Sequence, residues 1–90
     1  FTVLPAYTNP FNPSVTIKYG LDKDTRVFIQ IYDITGQLIS TLQNIEQIQG
    51  WHSVTWNGTN QQGKQVPAGL YLSRIVAGSE VKTTKLMLLK

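Results

Sequence analysis

Apolar residues recur at every second position along most of this chain, which is the spacing of β-strands and not of helices. The clearest run is Val15-Ile17-Tyr19-Leu21, in which a polar residue or a glycine separates each apolar residue from the next. Similar alternation predicts a short strand near Thr2 and longer strands in residues 27–32, 38–42, 51–56, 70–76 and 81–89. The chain therefore has about seven predicted strands.

Turn-forming residues separate these strands, as in Asp33-Ile34-Thr35-Gly36 and Ala77-Gly78-Ser79-Glu80. Residues 38–49 also fit a helix, but they lack capping residues at both ends. About seven short strands predict an all-β fold, an immunoglobulin-like β-sandwich of antiparallel strands. The expected core residues are Ile17, Ile29, Ile31, Val54, Trp56, Tyr71 and Ile75.

A length of 90 residues predicts one domain that spans residues 1–90. The net charge is +3, but the basic residues are scattered, so no nucleic-acid partner is expected. No cysteine is present, which excludes disulfides and thiolate zinc sites. The longest apolar run, residues 86–89, is too short to span a bilayer, so no stable membrane insertion is expected. We expect the chain to be the end of a larger secreted protein.

The sequence offers little for catalysis. His52 is the only histidine, and its apolar neighbours on the same strand face favour a hydrogen-bonded structural role. Solvated surface charges are the expected role of the acidic residues, which are Asp22, Asp24, Asp33, Glu46 and Glu80. We therefore expect no enzymatic activity, no cofactor and no metal.

Two loops have unusual compositions. Residues 57–63 resemble a calcium loop in spacing but contain no carboxylate, so turns closed by Asn57 and Asn60 are the better interpretation. In residues 9–13, Pro10 and Pro13 each follow an asparagine, and this predicts a stiff, extended segment that crosses between sheets or protects an edge.

Aromatic residues suggest an alternative function. Trp51, Tyr7, Tyr32 and Tyr71 are candidates for a sugar-stacking platform, since aromatic rings pack against the apolar faces of sugars. Large aromatic residues on strands are more often in the core, as expected for Trp56, whereas Trp51 points the other way and is the better candidate for exposure.

A series of short motifs runs along the whole chain: Asn9-Pro-Phe-Asn-Pro-Ser14, Thr16-Ile17, Ile31-Tyr32-Asp33, Gly36, Gly50, His52, Val54, Trp56-Asn57-Gly58, Asn60, Gly63, Val66, Gly69-Leu70-Tyr71, Arg74, Ala77-Gly78 and Thr84-Lys85-Leu86-Met87-Leu88-Leu89-Lys90. Together these motifs resemble the type A C-terminal sorting domain of the type IX (Por) secretion system. The segment from Trp56 to Tyr71 also resembles the immunoglobulin-like domain of flagellar hook-capping proteins. Asn57 and Asn60 stand where both families usually have aspartate.

The resemblance implies a sorting function. In that family the passenger crosses the inner membrane by a signal peptide and folds in the periplasm. The C-terminal domain then directs it through the outer-membrane translocon, and a sortase-like surface peptidase commonly removes the domain. The expected partners are thus the translocon, that peptidase and an upstream passenger domain. The expected localisation is the periplasm in transit, then the outer-membrane surface or the medium.

We expect partner recognition at the two motifs nearest the end of the chain. The candidate residues are Gly69, Leu70, Tyr71, Lys85, Leu86, Met87, Leu88, Leu89 and Lys90. If the final strand lies at a sheet edge, a receptor can add a strand to it and bind the charge of Lys90. The alternatives are an accessory carbohydrate-binding module and a structural spacer or assembly module of a secreted hydrolase.

Overall fold

Alternation in the sequence places the side chains of each strand on two faces, one buried and one exposed. The computed structural model describes residues 1–9 and 13–90, which form eight strands and no helix. This part of the chain therefore contains no helix able to cross a membrane. The strands are β1 (Thr2–Val3), β2 (Tyr7–Asn9), β3 (Ser14–Leu21), β4 (Thr25–Asp33), β5 (Leu38–Gln47), β6 (Gly50–Trp56), β7 (Gly69–Ala77) and β8 (Glu80–Leu88).

The strands form two antiparallel sheets. In the first sheet, β3 is central, with β6 on one side and with β1 and β2 end to end on the other. In the second sheet, the order is β5-β4-β7-β8. The all-β sandwich is confirmed, and residues 38–47 are a strand rather than a helix. The described strands number eight instead of seven because β1 and β2 share one edge of β3.

One hydrophobic core lies between the sheets. Its buried members are Val15, Ile17, Tyr19, Leu21, Val27, Ile29, Ile31, Trp56, Val66, Tyr71, Ile75, Ala77, Leu86 and Leu88. Six of the seven predicted core residues are buried. The exception, Val54, is only half-buried, because β6 has a neighbouring strand on one side only in the described structure. Strand edges leave inward side chains partly uncovered.

The predicted turns close as the sequence indicates. The amide of Gly36 donates to the carbonyl of Asp33 at 3.0 Å, and the Asp33 carboxylate accepts from the amides of Thr35 and Gln37. The carboxylate also accepts a hydrogen bond from the Thr35 hydroxyl. That bond is the largest cause of the lowered pKa of Asp33, and the backbone amides lower the pKa further. At the final hairpin, Ala77 pairs with Glu80 across Gly78, whose φ is +62°. Of the predicted extended segment, residues 10–12 lie outside the described residues.

The strand directions give the domain two distinct ends. Phe1, the loop of residues 22–24 and the β7–β8 turn lie at one end, which we name the N-terminal pole. The β4–β5 turn, the loop of residues 57–68 and residues 89–90 lie at the other, the C-terminal pole. The domain measures 35 × 25 × 19 Å. The first and last residues are therefore at opposite poles.

Polar side chains close the sandwich between β5 and β6. The Gln43 amide donates to the Tyr19 hydroxyl at 2.9 Å, and that hydroxyl donates to the Gln47 side-chain oxygen. Burial is the main cause that raises the pKa of Tyr19. Because the Ile48 carbonyl can only accept, His52 Nε2 donates to it at 2.8 Å, and Nδ1 accepts from Gln47 at 3.3 Å. His52 also stacks on Tyr19, with ring centroids 5.7 Å apart, which confirms its structural role.

Tyr19→Phe is expected to destabilise the domain by about 1–2 kcal/mol, because the change removes the hydroxyl that bonds to two part-buried glutamine side chains, Gln43 and Gln47. Tyr32→Phe is the matched control, since the Tyr32 hydroxyl donates only to Gln30 on the outer face of its sheet. It should cost less than about 0.5 kcal/mol. Urea unfolding of the two variants measures the difference. Equal losses of unfolding free energy in the two variants would show that the hydrogen bonds of the Tyr19 hydroxyl add no stability.

Candidate recognition site

Two motifs that are distant in sequence meet at one edge of the second sheet. Gly69 pairs with Leu88, Leu70 with Met87, and Tyr71 with Leu86. Lys85 pairs with Leu72, one residue beyond the first motif. The structure therefore brings the beginning of β7 and the end of β8 together at the C-terminal pole.

The candidate residues alternate between the core and the surface. Tyr71, Leu86 and Leu88 point inward and are buried, so they stabilise the sandwich and offer no accessible side chain. The Tyr71 hydroxyl donates to the Pro67 carbonyl at 2.6 Å, and burial is the main cause that raises its pKa. Period-two alternation turns every second residue of a strand inward, so a partner can reach these three positions only through their backbone, and their part in recognition stays a prediction.

The remaining candidates form the exposed part, which we name the C-terminal edge. It consists of the outward side chains of Leu70, Lys85 and Met87 together with Leu89, which follows the strand. Within the described residues, β8 pairs with β7 alone, so its other backbone edge has no neighbouring strand. Gly69, whose φ is +148°, starts β7 beside Leu88. Among the described residues, β8 is therefore an edge strand of the second sheet.

Lys90 differs from the expectation of a free terminal charge. Its ammonium group donates a hydrogen bond to the Val66 carbonyl, in the loop of residues 57–68. A substitution of Lys90 therefore removes a contact within the domain as well as a charge. The sequence did not predict that the carbonyls of Val66 and Pro67 accept hydrogen bonds from Lys90 and Tyr71. Every residue has a backbone carbonyl, so the residue type does not show which carbonyl is used.

The loop of residues 57–68 is held by its own side chains. The Asn60 side-chain oxygen accepts from the amides of Gln62 and Lys64, both at 3.0 Å, and the Asn57 oxygen accepts from the Thr59 hydroxyl. The backbone contacts confirm the turn interpretation for Asn60, whereas Asn57 bonds only to a neighbouring side chain. Residues 1–9 and 13–90 contain no group of three histidine or acidic side chains arranged to hold a metal ion.

Acidic side chains are at the surface. Asp22 and Glu80 both approach the backbone nitrogen of Phe1, at 3.3 and 3.0 Å. Asp24 accepts from the Gln49 amide, and Glu46 pairs with Arg26 at 3.4 Å. Surface positions are thus confirmed for these carboxylates, although Glu46 lies within β5 and not in a loop.

The four aromatic candidates lie in three places. Tyr71 is in the core, and Tyr32 is on the outer face of the second sheet. Trp51 and Tyr7 are exposed on the outer face of the first sheet. The predicted exposure of Trp51 is confirmed.

Residues 11–85, most of the chain, match the family described as FlgD Ig-like domain. The chain belongs to this family. No curated protein matches this FlgD Ig-like domain by sequence.

Three solved structures with the same fold come from a flagellar protein and from two proteins of another bacterium. The flagellar protein is FlgD from Xanthomonas campestris, whose structure is described in terms of hook capping. It has a TM-score of 0.68 and 21% identity over 94% of this chain and 64% of that one. The other two are from Porphyromonas gingivalis. Dimeric latent PorU has a TM-score of 0.67 and 22% identity over 97% of this chain. PorZ, described as a surface component of the type IX secretion system, has a TM-score of 0.64 and 21% identity over 99%. The chain spans only 9% of PorU and 11% of PorZ.

Proposed function

We propose that this FlgD Ig-like domain is a C-terminal sorting signal that directs an attached passenger protein through the type IX secretion system to the cell surface or medium. The observation that carries the proposal is the pairing of Gly69-Leu70-Tyr71 with residues 86–88 at a sheet edge. Both motifs are among those that resemble sorting domains, and the run that ends at Lys90 is one that favours a sorting domain over the hook-capping relative. A receptor that contacts both motifs at once requires them to lie side by side on the surface, as this pairing places them.

Recognition proceeds by strand addition in this proposal. The backbone edge of β8 with which no described strand pairs offers hydrogen-bond donors and acceptors, and the outward side chains of Leu70 and Met87 supply apolar contact. Tyr71, Leu86 and Leu88 act indirectly, because their burial holds the two strands in register. The partner is the outer-membrane translocon or a carrier that delivers to it.

The two poles separate the passenger from the recognition site. An upstream domain joins at Phe1, at the N-terminal pole, while the C-terminal edge ends at the C-terminal pole. The length of β7 and β8 lies between them, so a folded passenger leaves the edge accessible. In this proposal the domain passes through the periplasm with its passenger and reaches the surface, where the sortase-like peptidase acts.

The domain itself has no catalytic role in this proposal. The only histidine is engaged through both ring nitrogens, and the carboxylates bind backbone amides or cations at the surface. The type IX description of PorZ supports a sorting context, while its identity of 21% leaves the likeness at the level of fold. The family match also supports a second candidate function, a structural assembly module like that of the hook-capping proteins.

A reporter fusion tests the sorting function. Residues 1–90 are joined to the C-terminus of a periplasmic reporter in a host with a type IX system, and the reporter is measured in the medium, at the surface and in the periplasm. The wild-type fusion should be exported. Met87→Asp should lower export about tenfold, the effect of losing an interface side chain worth about 1.4 kcal/mol.

Val81→Asp is the matched control. Val81 and Met87 are both 49% exposed, and both lie outward on β8, but Val81 is at the N-terminal pole. Thermal melts should show both variants folded, since surface changes of this kind shift stability by about 0.5 kcal/mol. Export with Val81→Asp should equal that of the wild type. A folded fusion that stays in the periplasm, or equal export by the two variants, would contradict sorting by this edge.

A further inference from the structure

Trp51 is a large aromatic side chain that the sandwich does not bury. It lies on the outer face of the first sheet, in the edge strand β6, and is 58% exposed. The other tryptophan, Trp56, is in the core. Trp51 has no part in the C-terminal edge, which belongs to the second sheet.

The indole ring of Trp51 covers Gly20. Gly20 is its directly paired neighbour on β3, and a Cβ built on Gly20 would be 3.0–3.2 Å from three atoms of the six-membered ring. The absence of a side chain at residue 20 therefore makes room for the indole, most of which stays exposed to solvent.

Hydrogen-bonding groups surround this ring. Lys18 Nζ lies 5.9 Å from the ring centroid, and Ser53 pairs directly with Lys18. Farther along β3, the hydroxyls of Thr16 and Thr55 are 3.1 Å apart. The outward residues of β3 and β6 contribute no carboxylate.

A second exposed aromatic ring continues the same surface. Tyr7 pairs with Thr16 and is 60% exposed. Thr16 and Gly20 are separated by about 13 Å along β3. Tyr7 and Trp51 therefore stand at the two ends of a strip of hydroxyl and ammonium groups, which we name the aromatic strip.

We propose that the aromatic strip binds a β-linked glycan whose pyranose rings carry equatorial hydroxyls. Such rings present flat C–H faces, which stack on the exposed indole of Trp51, while their edge hydroxyls bond to Ser53, Thr16 and Thr55. The Lys18 ammonium, which lies over the indole in the unbound domain, moves aside and bonds to a sugar hydroxyl. Tyr7 contacts a ring farther along the same extended chain. This binding is separate from export and uses the opposite sheet of the sandwich.

Titration with soluble oligosaccharides tests the proposal on residues 1–90. Cellohexaose is the probe, and maltohexaose, its α-linked isomer, is the stereochemical control. Calorimetry should detect cellohexaose and give a much weaker signal with maltohexaose. Trp51→Ala should lower the affinity about tenfold, and Tyr7→Ala about threefold, consistent with loss of one stacking contact each.

Two control variants and one fluorescence measurement locate the sugar at Trp51. Trp51→Phe keeps an aromatic cover on Gly20 and should retain part of the affinity. Ile34→Ala removes an exposed apolar side chain at the C-terminal pole and should leave binding unchanged. Because Trp56 is buried, acrylamide quenching reports mainly Trp51, and cellohexaose should protect it.

Several outcomes would overturn the proposal. They are absence of binding by the folded wild type, equal binding of the α- and β-linked probes, and full affinity of Trp51→Ala. Protection of Trp51 that grows with protein concentration in the absence of sugar would identify a second copy of the chain as the occupant instead. None of these results bears on export, which the fusion measures independently.

Discussion

Trp56→Ala should destabilise the domain by about 3–5 kcal/mol, which is a large part of the stability of a domain this small. Trp56 is almost fully buried, and its ring meets Tyr71 edge-on, with centroids 4.9 Å apart. Its indole nitrogen donates to the Thr59 carbonyl at 2.8 Å. The substitution removes the buried ring, leaves a cavity beside Tyr71 and takes a hydrogen bond from the loop of residues 57–68.

Trp51→Ala is the matched control for this measurement, since it removes the same side chain from the surface. It should cost less than about 1 kcal/mol, because the indole is mostly exposed and only its surface contacts with Gly20 and Lys18 are lost. Equilibrium unfolding in urea measures both variants. Similar losses, or a loss below about 1 kcal/mol for Trp56→Ala, would show that Trp56 is not a core residue.

Gly58→Ala is expected to cost about 2–4 kcal/mol, the second large effect. Gly58 has φ of +76°, a conformation that a Cβ disfavours. That Cβ would also be 3.1 and 3.2 Å from the two methyl carbons of Leu88, which is completely buried. Backbone strain and overpacking therefore act together.

Gly63→Ala separates the two causes. Gly63 has a similar φ of +80°, but a Cβ there would have no atom within 4 Å, so only the backbone term of about 1 kcal/mol remains. The double variant Gly58→Ala/Leu88→Ala should lose less unfolding free energy than the sum of the two single variants, because the shortened side chain at residue 88 no longer contacts the new Cβ. Strict additivity, or equal losses at the two glycines, would contradict a steric contact between Gly58 and Leu88.

The sequence alone determined the fold class and most of the core. Alternation in β3, β4 and β7 assigned the correct side chains to the interior, because a strand places residues on two faces whatever its neighbours are. Turn chemistry at Asp33 and Gly78 was equally local and equally readable. Val54 was misassigned because burial on an edge strand depends on what lies beside it, and the chain's local pattern does not specify this.

Tertiary structure alone decided how the candidate site is built. The pairing of Leu70 with Met87, the burial of Tyr71, Leu86 and Leu88, and the attachment of Lys90 to the Val66 carbonyl are contacts between distant segments or with main-chain atoms. Local alternation fixes which residues of a strand share a face. It leaves open which strand lies next to it and which backbone oxygen a long side chain reaches, since both follow from the packing of the whole sandwich.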